Sequence, residues 1–198
     1  MSHEAVTLAV LMYGIVPLWF LAGLADWLCH RATDIQHTTG AKESLLHLLM
    51  FSEVAVPLLA CLFLEINALV IALMVVGFLA HEATALWDVS YAVTRRRVSP
   101  IEQHVHSFLE LVPLMALILV GTLHWPQALA LVGLGPEPAR FTLRWTLGDL
   151  PVGYVATILG AAFVVEFLPY VEELARGWRA AGGRLAPTRR PAEGNRHA

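Results

Sequence analysis

The chain has 198 residues, of which 57% are hydrophobic and 15% charged, and its mean hydropathy is +0.62. A soluble domain of this length normally carries about a quarter charged residues, so the composition favours an integral membrane protein. The net charge of −3 gives no sign of a polyanionic partner, and we expect no binding to nucleic acid. Cys29 and Cys61 form neither a disulfide framework nor a CxxC metal motif.

Five apolar stretches are long enough to cross a bilayer, which takes roughly 20 apolar residues per helix. They cover residues 5–27, 45–64, 66–87, 107–123 and 150–171. Because residues 1–4 lack a basic n-region, we expect the first stretch to be retained as a span. The sequence predicts an all-α integral membrane protein whose first four spans form an up-down bundle of two hairpins, 5–64 and 66–123.

Two further segments complete the predicted polytopic domain, residues 1–175. The stretch 124–149, rich in Pro, Gly and Trp, predicts an interfacial loop with a partial re-entrant or surface helix. Residues 176–198 contain six arginines together with Gly and Pro, which predicts a disordered cytoplasmic tail. Arg31, Lys42 and the arginines at 95–97 lie in loops on the same side as this tail. The positive-inside rule therefore places the N-terminus outside and the C-terminus in the cytoplasm, in a multi-pass protein of the cell inner (plasma) membrane.

Four pairs of metal-type side chains lie at the predicted cytoplasmic ends of the first four spans. Three pairs are spaced i,i+4 and one i,i+7, so each pair shares one face of a helix. Ionisable groups at such depth are costly in lipid and are generally functional. The predicted metal ligands are Asp26, His30, Glu43, His47, His81, Asp88, Glu102 and His106.

The two hairpins carry similar residues in the same order. The correspondence joins Asp26 to Asp88, Glu43 to Glu102, and His47 to His106. Because both hairpins run in the same direction, it implies a pseudo-twofold axis along the membrane normal.

Carboxylates and histidines from four facing helices are typical of a di-metal centre in a helix bundle. We expect two divalent metal ions, with iron as the leading assignment and manganese or zinc as alternatives. Histidine ligands generally need outer partners, which the sequence offers as Glu53, Glu82, Glu110, His37 and His104. Glu53 and Glu82 are the candidate catalytic groups: Glu53 as a proton relay or further ligand, and Glu82 as a general base.

Each pair also has an ordinary structural interpretation. Asp26 and His30 suit a helix end at the interface, and Glu43 and Glu102 suit the first turn of a helix, where acids complement the dipole. Ser99 and Pro100 predict the N-cap and first residue of the fourth helix. The metal hypothesis depends on the convergence of all four pairs on one side.

The placement of the residues from Asp26 to His106 resembles the membrane-bound non-haem di-iron oxygenases, which include desaturases and fatty-acid or carotenoid hydroxylases. This chain has DxxxH, ExxxH and ExxxH where that family has HxxHH and HxxxH boxes. The resemblance implies an oxidoreductase of lipid metabolism that activates oxygen at the cytoplasmic face, acts on a lipid-soluble substrate and takes electrons from a cytoplasmic donor.

Three alternatives remain. The site also resembles that of membrane zinc hydrolases of the ceramidase kind, which implies metal-activated water with Glu82 as base. A divalent-metal transporter or sensor would use the same ligands for a transient site. The third alternative is an assembly or scaffold protein with no catalytic activity.

Overall fold

The computed structural model describes residues 1–146 and 150–187. Within those ranges the only β pairing is one isolated antiparallel bridge, Leu64–Trp145. The helices are α1 (His3–Ala32), α2 (Ile35–Thr38), α3 (Ala41–Phe63), α4 (Ala68–Ala92), α5 (Pro100–Leu123), α6 (Trp125–Leu131) and α7 (Val152–Ala180). Five of them are long and apolar enough to cross a membrane, which indicates a multi-pass membrane protein.

The long helices extend past the predicted apolar runs, mostly at the end that carries the charged residues. The start of α5 is an example: Ser99 Oγ accepts the backbone N–H of Glu102, and the Glu102 carboxylate accepts that of Ser99. This capping box satisfies two backbone donors, and the predicted N-cap and first helical residue are confirmed. An apolar run in the sequence ends at the first charged side chain. The helix itself continues, because the charged side chains beyond that point are buried next to hydrogen-bonding or ionic partners.

The fifth long helix differs most from its predicted bounds. It continues to Ala180, beyond the predicted end at 171 and into the segment predicted to be disordered. The chain after it returns to α3, where the backbone N–H of Lys42 donates to Leu185 O at 2.8 Å. The rest of the predicted tail, residues 188–198, lies outside the described residues.

The packing pattern places α7 beside both helices of the predicted first hairpin. α1 packs mainly along α5, and α3 packs along α4 and α7, whereas the backbones of α1 and α3 come close at few points in the described chain. The crossing of α7 with α3 is close at Gly177, where a Cβ would lie 2.8 Å from Ala41 N. Because there is no room for a side chain at that crossing, the glycine determines how closely α7 packs against the start of α3.

Two π-helical segments interrupt the long helices, at Leu11–Ile15 in α1 and Ala162–Phe167 in α7. Such segments insert a residue into the helix and often occur at functional sites. The second contains Glu166, which is buried and faces Gly23 of α1. Glu166, Tyr170 and Glu173 follow at i, i+4 and i+7, and all three are buried.

The predicted interfacial loop begins as helix α6, and its described remainder covers the opposite end of the bundle. There the N–H of Thr146 donates to Phe63 O at 3.0 Å, and that of Glu65 donates to Arg144 O at 2.8 Å. The Arg140 guanidinium donates to Glu65 Oε1 at 2.7 Å. This loop therefore fixes the turn between α3 and α4.

Candidate metal centre

The predicted ligands converge at one end of the bundle, where α1 and α4 end and α3 and α5 begin. His106 Nε2 lies 2.9 Å from Asp26 Oδ1, and His30 Nε2 lies 3.4 Å from the same oxygen. His47 Nε2 lies 3.6 Å from Asp88 Oδ2. Seven of the eight predicted ligands are buried, and the eighth, His106, keeps 12% of its side chain exposed. Side chains distant in sequence thus form one buried cluster.

The cluster contains a carboxylate that the sequence interpretation missed, Glu173 of α7. Its Oε2 lies 3.0 Å from His30 Nδ1, and its Oε1 lies 2.8 Å from His47 Nδ1. A carboxylate only accepts, so both imidazoles donate their Nδ1–H and leave Nε2 free for another partner. Histidines that bind metals are typically oriented in this way. The spacing of Glu166, Tyr170 and Glu173 on one helix face could have indicated this residue. It was missed because the fifth span was predicted from hydropathy to end at 171.

Arg96 is the second missed residue, since the run at 95–97 was interpreted as a topology signal only. Its Nη2 lies 2.5 Å from both Glu43 Oε1 and Glu102 Oε1, and 3% of its side chain is exposed. Burial alone would lower the pKa of Arg96, but hydrogen bonds with Glu102 and Glu43 raise it above its ordinary value. The guanidinium is therefore a permanent cation that joins the first turns of α3 and α5. Glu102 also lies 3.4 Å from His30 Nε2, which connects this pair to the histidines.

Four buried polar atoms at the centre have no partner in good hydrogen-bond geometry among the described residues, although His106 Nε2 approaches one of them, Asp26 Oδ1, to 2.9 Å. They are Asp26 Oδ1, His30 Nε2, His47 Nε2 and Asp88 Oδ1. Buried polar atoms are nearly always paired, so four orphans in one place call for a missing partner. Two donor atoms bound to one ion at about 2.1 Å lie about 3.0–3.4 Å apart in octahedral or tetrahedral geometry. The three contacts between histidines and aspartates, at 2.9, 3.4 and 3.6 Å, are within about 0.2 Å of that range.

The charge of the cluster gives an independent argument for a cation. Six carboxyl groups are buried among the described residues, and one buried guanidinium accompanies them. The six are Asp26, Glu43, Asp88, Glu102, Glu166 and Glu173. Burying an ion without compensation costs several kcal/mol. Bound cations or bound protons must therefore balance most of this charge.

The contacts are consistent with the predicted pseudo-twofold repeat. Exchanging Asp26 with Asp88 and His106 with His47 turns one acid–histidine contact into the other. The corresponding pair of glutamates shares the Arg96 guanidinium. Three pairs of positions that correspond in the predicted repeat therefore make matching contacts.

A cavity of about 40 Å³ opens beside the cluster. Its polar lining consists of Asp26, His47, His81, Asp88, His106, Glu110, Glu166 and Tyr170. The structure thus brings His81 to the same cavity as the other predicted ligands. The space is large enough for a molecule the size of water or dioxygen.

The other candidates named from the sequence lie further out. Glu53 accepts a hydrogen bond from Thr84 Oγ1 at 2.8 Å and lines a separate, apolar cavity. Glu82 is half-buried and does not line the small cavity. His37 lies 2.8 Å from the exposed Asp34, away from the cluster. Glu173, in place of His37, makes the hydrogen bonds that orient the imidazoles of His30 and His47. His104 is exposed and contacts the ring of Phe108.

Two groups in the described chain have donor atoms within 4.8 Å of one another and could hold a metal ion. One is Asp26, His30 and His106; the other is His30, Glu43 and His47. Comparison with protein-family models, with curated proteins and with solved structures found no match for the chain.

Proposed function

We propose that the protein is a membrane-embedded di-metal oxidoreductase of the di-iron type, a hydroxylase or desaturase of a lipid-soluble substrate. The observation that carries the proposal is the bridging of His30 and His47 by Glu173. It turns both Nε2 atoms toward aspartates beside a small cavity, His30 toward Asp26 Oδ1 at 3.4 Å and His47 toward Asp88 Oδ2 at 3.6 Å.

Two ions fit the cluster better than one. The His30 and His47 rings are parallel within 9°, with centroids 4.4 Å apart, and both Nδ1 atoms contact the same carboxylate. Their Nε2 atoms are therefore similarly spaced, which suits ions roughly 3.5–4 Å apart in two-metal sites. Asp26, His30 and His106 would hold one ion; Glu43 and His47, with Asp88 beside His47, would hold the other. Oxygen and imidazole donors without thiolate suit iron, manganese or zinc.

The protein's own groups would hold the ions and move protons. A pair of redox-active ions would supply oxygen activation. Arg96 restrains Glu43 and Glu102 at the edge of the cluster, where Glu102 would serve as a further ligand. Glu166 lines the small cavity, and its Oε1 has no hydrogen-bond partner among the described residues. With Tyr170 it is in position to give and take protons there.

A second cavity, of about 490 Å³, supports the proposal that the substrate is apolar. It shares Trp19 and Val54 with the small cavity, so the two are neighbours. Its walls are mainly hydrophobic, as in sites for lipophilic ligands. A metal-transport route to the opposite face would need polar groups along this path, so the cavity favours oxidation of a hydrocarbon over transport.

The reaction balances with an external reductant. In hydroxylation one oxygen atom of O₂ enters a C–H bond and the other leaves as water, with two electrons and two protons from the donor. In desaturation two hydrogen atoms leave the substrate and, together with two electrons and two protons from the donor, reduce both oxygen atoms to water. We retain the predicted orientation, with the C-terminus cytoplasmic, because it places the cluster on the side of a cytoplasmic electron donor.

A single-turnover experiment tests this function. The purified protein in lipid nanodiscs is loaded with iron, reduced without oxygen and exposed to ¹⁸O₂, and the lipids are analysed by mass spectrometry. We expect one labelled oxygen in a lipid product, or loss of two hydrogens, and neither in His47→Ala. One bound zinc per chain with lipid hydrolysis in place of oxidation would support the hydrolase instead.

A further inference from the structure

The large cavity is central and elongated. All five long helices line it, and it runs from Trp19 and Val54 beside the metal cluster to Glu65, Arg140 and Thr146 at the opposite end. The stretch of α3 between Val54 and Leu64 corresponds to about 15 Å at 1.5 Å per residue. The cavity therefore has the length of one extended hydrocarbon chain.

The two ends of the cavity differ in polarity. At the end away from the cluster, Arg140 Nη1 lies 2.7 Å from Glu65 Oε1, and Arg144 Nη1 lies 3.6 Å from Glu65 Oε2. The lining of this mouth contributes one cation, Arg140, and one anion, Glu65, and the Arg144 guanidinium lies close by as a second cation. Arg140 is half-exposed and is therefore available to a ligand. His124 also lines the mouth; burial, and then the charge of Arg140, lowers its pKa, so its ring is a neutral hydrogen-bonding group.

The end near the cluster is apolar apart from Glu53 and its partner Thr84. Trp19 and Val54 form the boundary with the small cavity. Glu53, adjacent to Val54, has one oxygen bonded by Thr84, while Oε2 has no partner in the described parts of the chain. A hydroxyl group formed at this depth would find an acceptor there.

Building on the proposed function, we propose that the substrate is a single-chain amphiphile with an anionic headgroup. The headgroup binds at Arg140, and the chain runs through the cavity so that its methyl end lies at Trp19 and Val54. Oxidation then takes place toward the methyl end of the chain, far from the headgroup. The substrate enters from the face opposite the metal cluster.

Photolabelling tests this binding polarity without turnover. Two myristate analogues are incubated with the full-length protein in nanodiscs, one carrying a diazirine at the chain terminus and one beside the carboxylate. We expect the terminal probe to label the peptides that contain Trp19 and Val54, and the other probe to label residues 140–146. The reverse pattern, or labelling confined to outward-facing residues such as Leu79 and Leu86, would overturn the proposal.

Matched variants connect the labelling to the cavity. Ala116→Phe places a ring inside it, whereas Ala83→Phe places the same ring on an exposed face of α4. We expect labelling to fall several-fold in the first and to be unchanged in the second. A second pair of variants tests the headgroup contact. Arg140→Gln should weaken labelling by the myristate probe several-fold but leave labelling by the matching fatty-alcohol probe unchanged. Arg97→Gln is the control and should leave labelling by both probes unchanged. Equal labelling of all variants would contradict the proposal.

Metal content measured on the same samples separates this inference from the proposed function. Labelling in the predicted pattern without bound metal supports the lipid site and contradicts the di-metal function. A loaded di-metal centre with the opposite labelling pattern leaves the function standing and overturns the binding polarity.

Discussion

The imidazole rings of His30 and His47 lie parallel, with centroids 4.4 Å apart and an interplanar angle of 9°. They belong to different helices, α1 and α3, whose backbones approach each other closely at few points in the described chain. Glu173 of α7 holds them in register by accepting a hydrogen bond from each. The fifth long helix is therefore part of the candidate centre, and its position determines where the two Nε2 atoms point.

Replacing Glu173 by glutamine should weaken metal binding by about 10- to 100-fold, the usual cost of losing a partner that orients a histidine ligand. A glutamine side chain has one acceptor oxygen and cannot accept from both imidazoles. The check is the metal retained per chain during titration with a chelator. Glu172→Gln is the matched control, because Glu172 is half-exposed and contacts Trp27, Arg31 and Arg176 instead of the histidines. Identical chelator curves for the two variants would count against the orienting role.

Arg96→Gln should lower the free energy of unfolding by about 3–5 kcal/mol, since it leaves Glu43 and Glu102 buried without their shared cation. Arg97→Gln alters an exposed side chain and should change the same quantity by about 0.5 kcal/mol or less. Denaturant unfolding in detergent micelles compares the two. If both arginines prove equally dispensable, the glutamate bridge does not stabilise the fold.

Gly23→Ala should disturb the cluster through Glu166. A Cβ at this position would lie 1.9 Å from Glu166 Oε2, so the carboxylate must move. We expect a loss of stability of about 1–3 kcal/mol, as for other overpacked sites. Gly14→Ala on the same helix is the control, because its nearest neighbour would be 4.0 Å away. Thermal unfolding of the Gly23→Ala/Glu166→Ala pair should show strong coupling; simple additivity would indicate that the two residues do not collide.

Gly177→Ala should shift α7 and carry Glu173, one turn earlier, away from the histidines. The added Cβ would lie 2.8 Å from the backbone N of Ala41, and a backbone atom cannot swing aside. We expect reduced metal content together with reduced stability. On the same helix, Gly160→Ala has no neighbour within 4 Å and should resemble the wild type in both measurements. Normal metal content in Gly177→Ala would mean that this crossing does not set the position of Glu173.

Hydropathy alone was enough to predict five membrane-spanning helices, because long apolar runs have few alternatives. The convergence of Asp26, His47, Asp88 and His106 was also predictable, since successive spans return to the same side of the membrane. Their role as metal ligands remains a prediction.

The other members of the cluster, Glu173 and Arg96, owe their positions to tertiary packing, which no local sequence pattern indicates. Leu168–Ala180 contains Glu172, Glu173 and Arg176 and resembles a solvent-exposed segment, yet Glu173 is buried because two distant histidines donate hydrogen bonds to its carboxylate. Among three consecutive arginines, the loop geometry alone determines that Arg96 faces inward. The spacing of Glu166, Tyr170 and Glu173 on one face was a usable signal, but only for a helix taken to continue past 171.

Elemental analysis of the purified protein, combined with a Mössbauer spectrum of a ⁵⁷Fe-enriched sample, tests the existence of the metal centre most directly. The account predicts about two ions per chain, with iron giving the signal of a coupled pair, and loss of this metal in the His47→Ala/His106→Ala variant. A chain that carries no metal, and whose double variant is as stable as the wild type, would contradict the account.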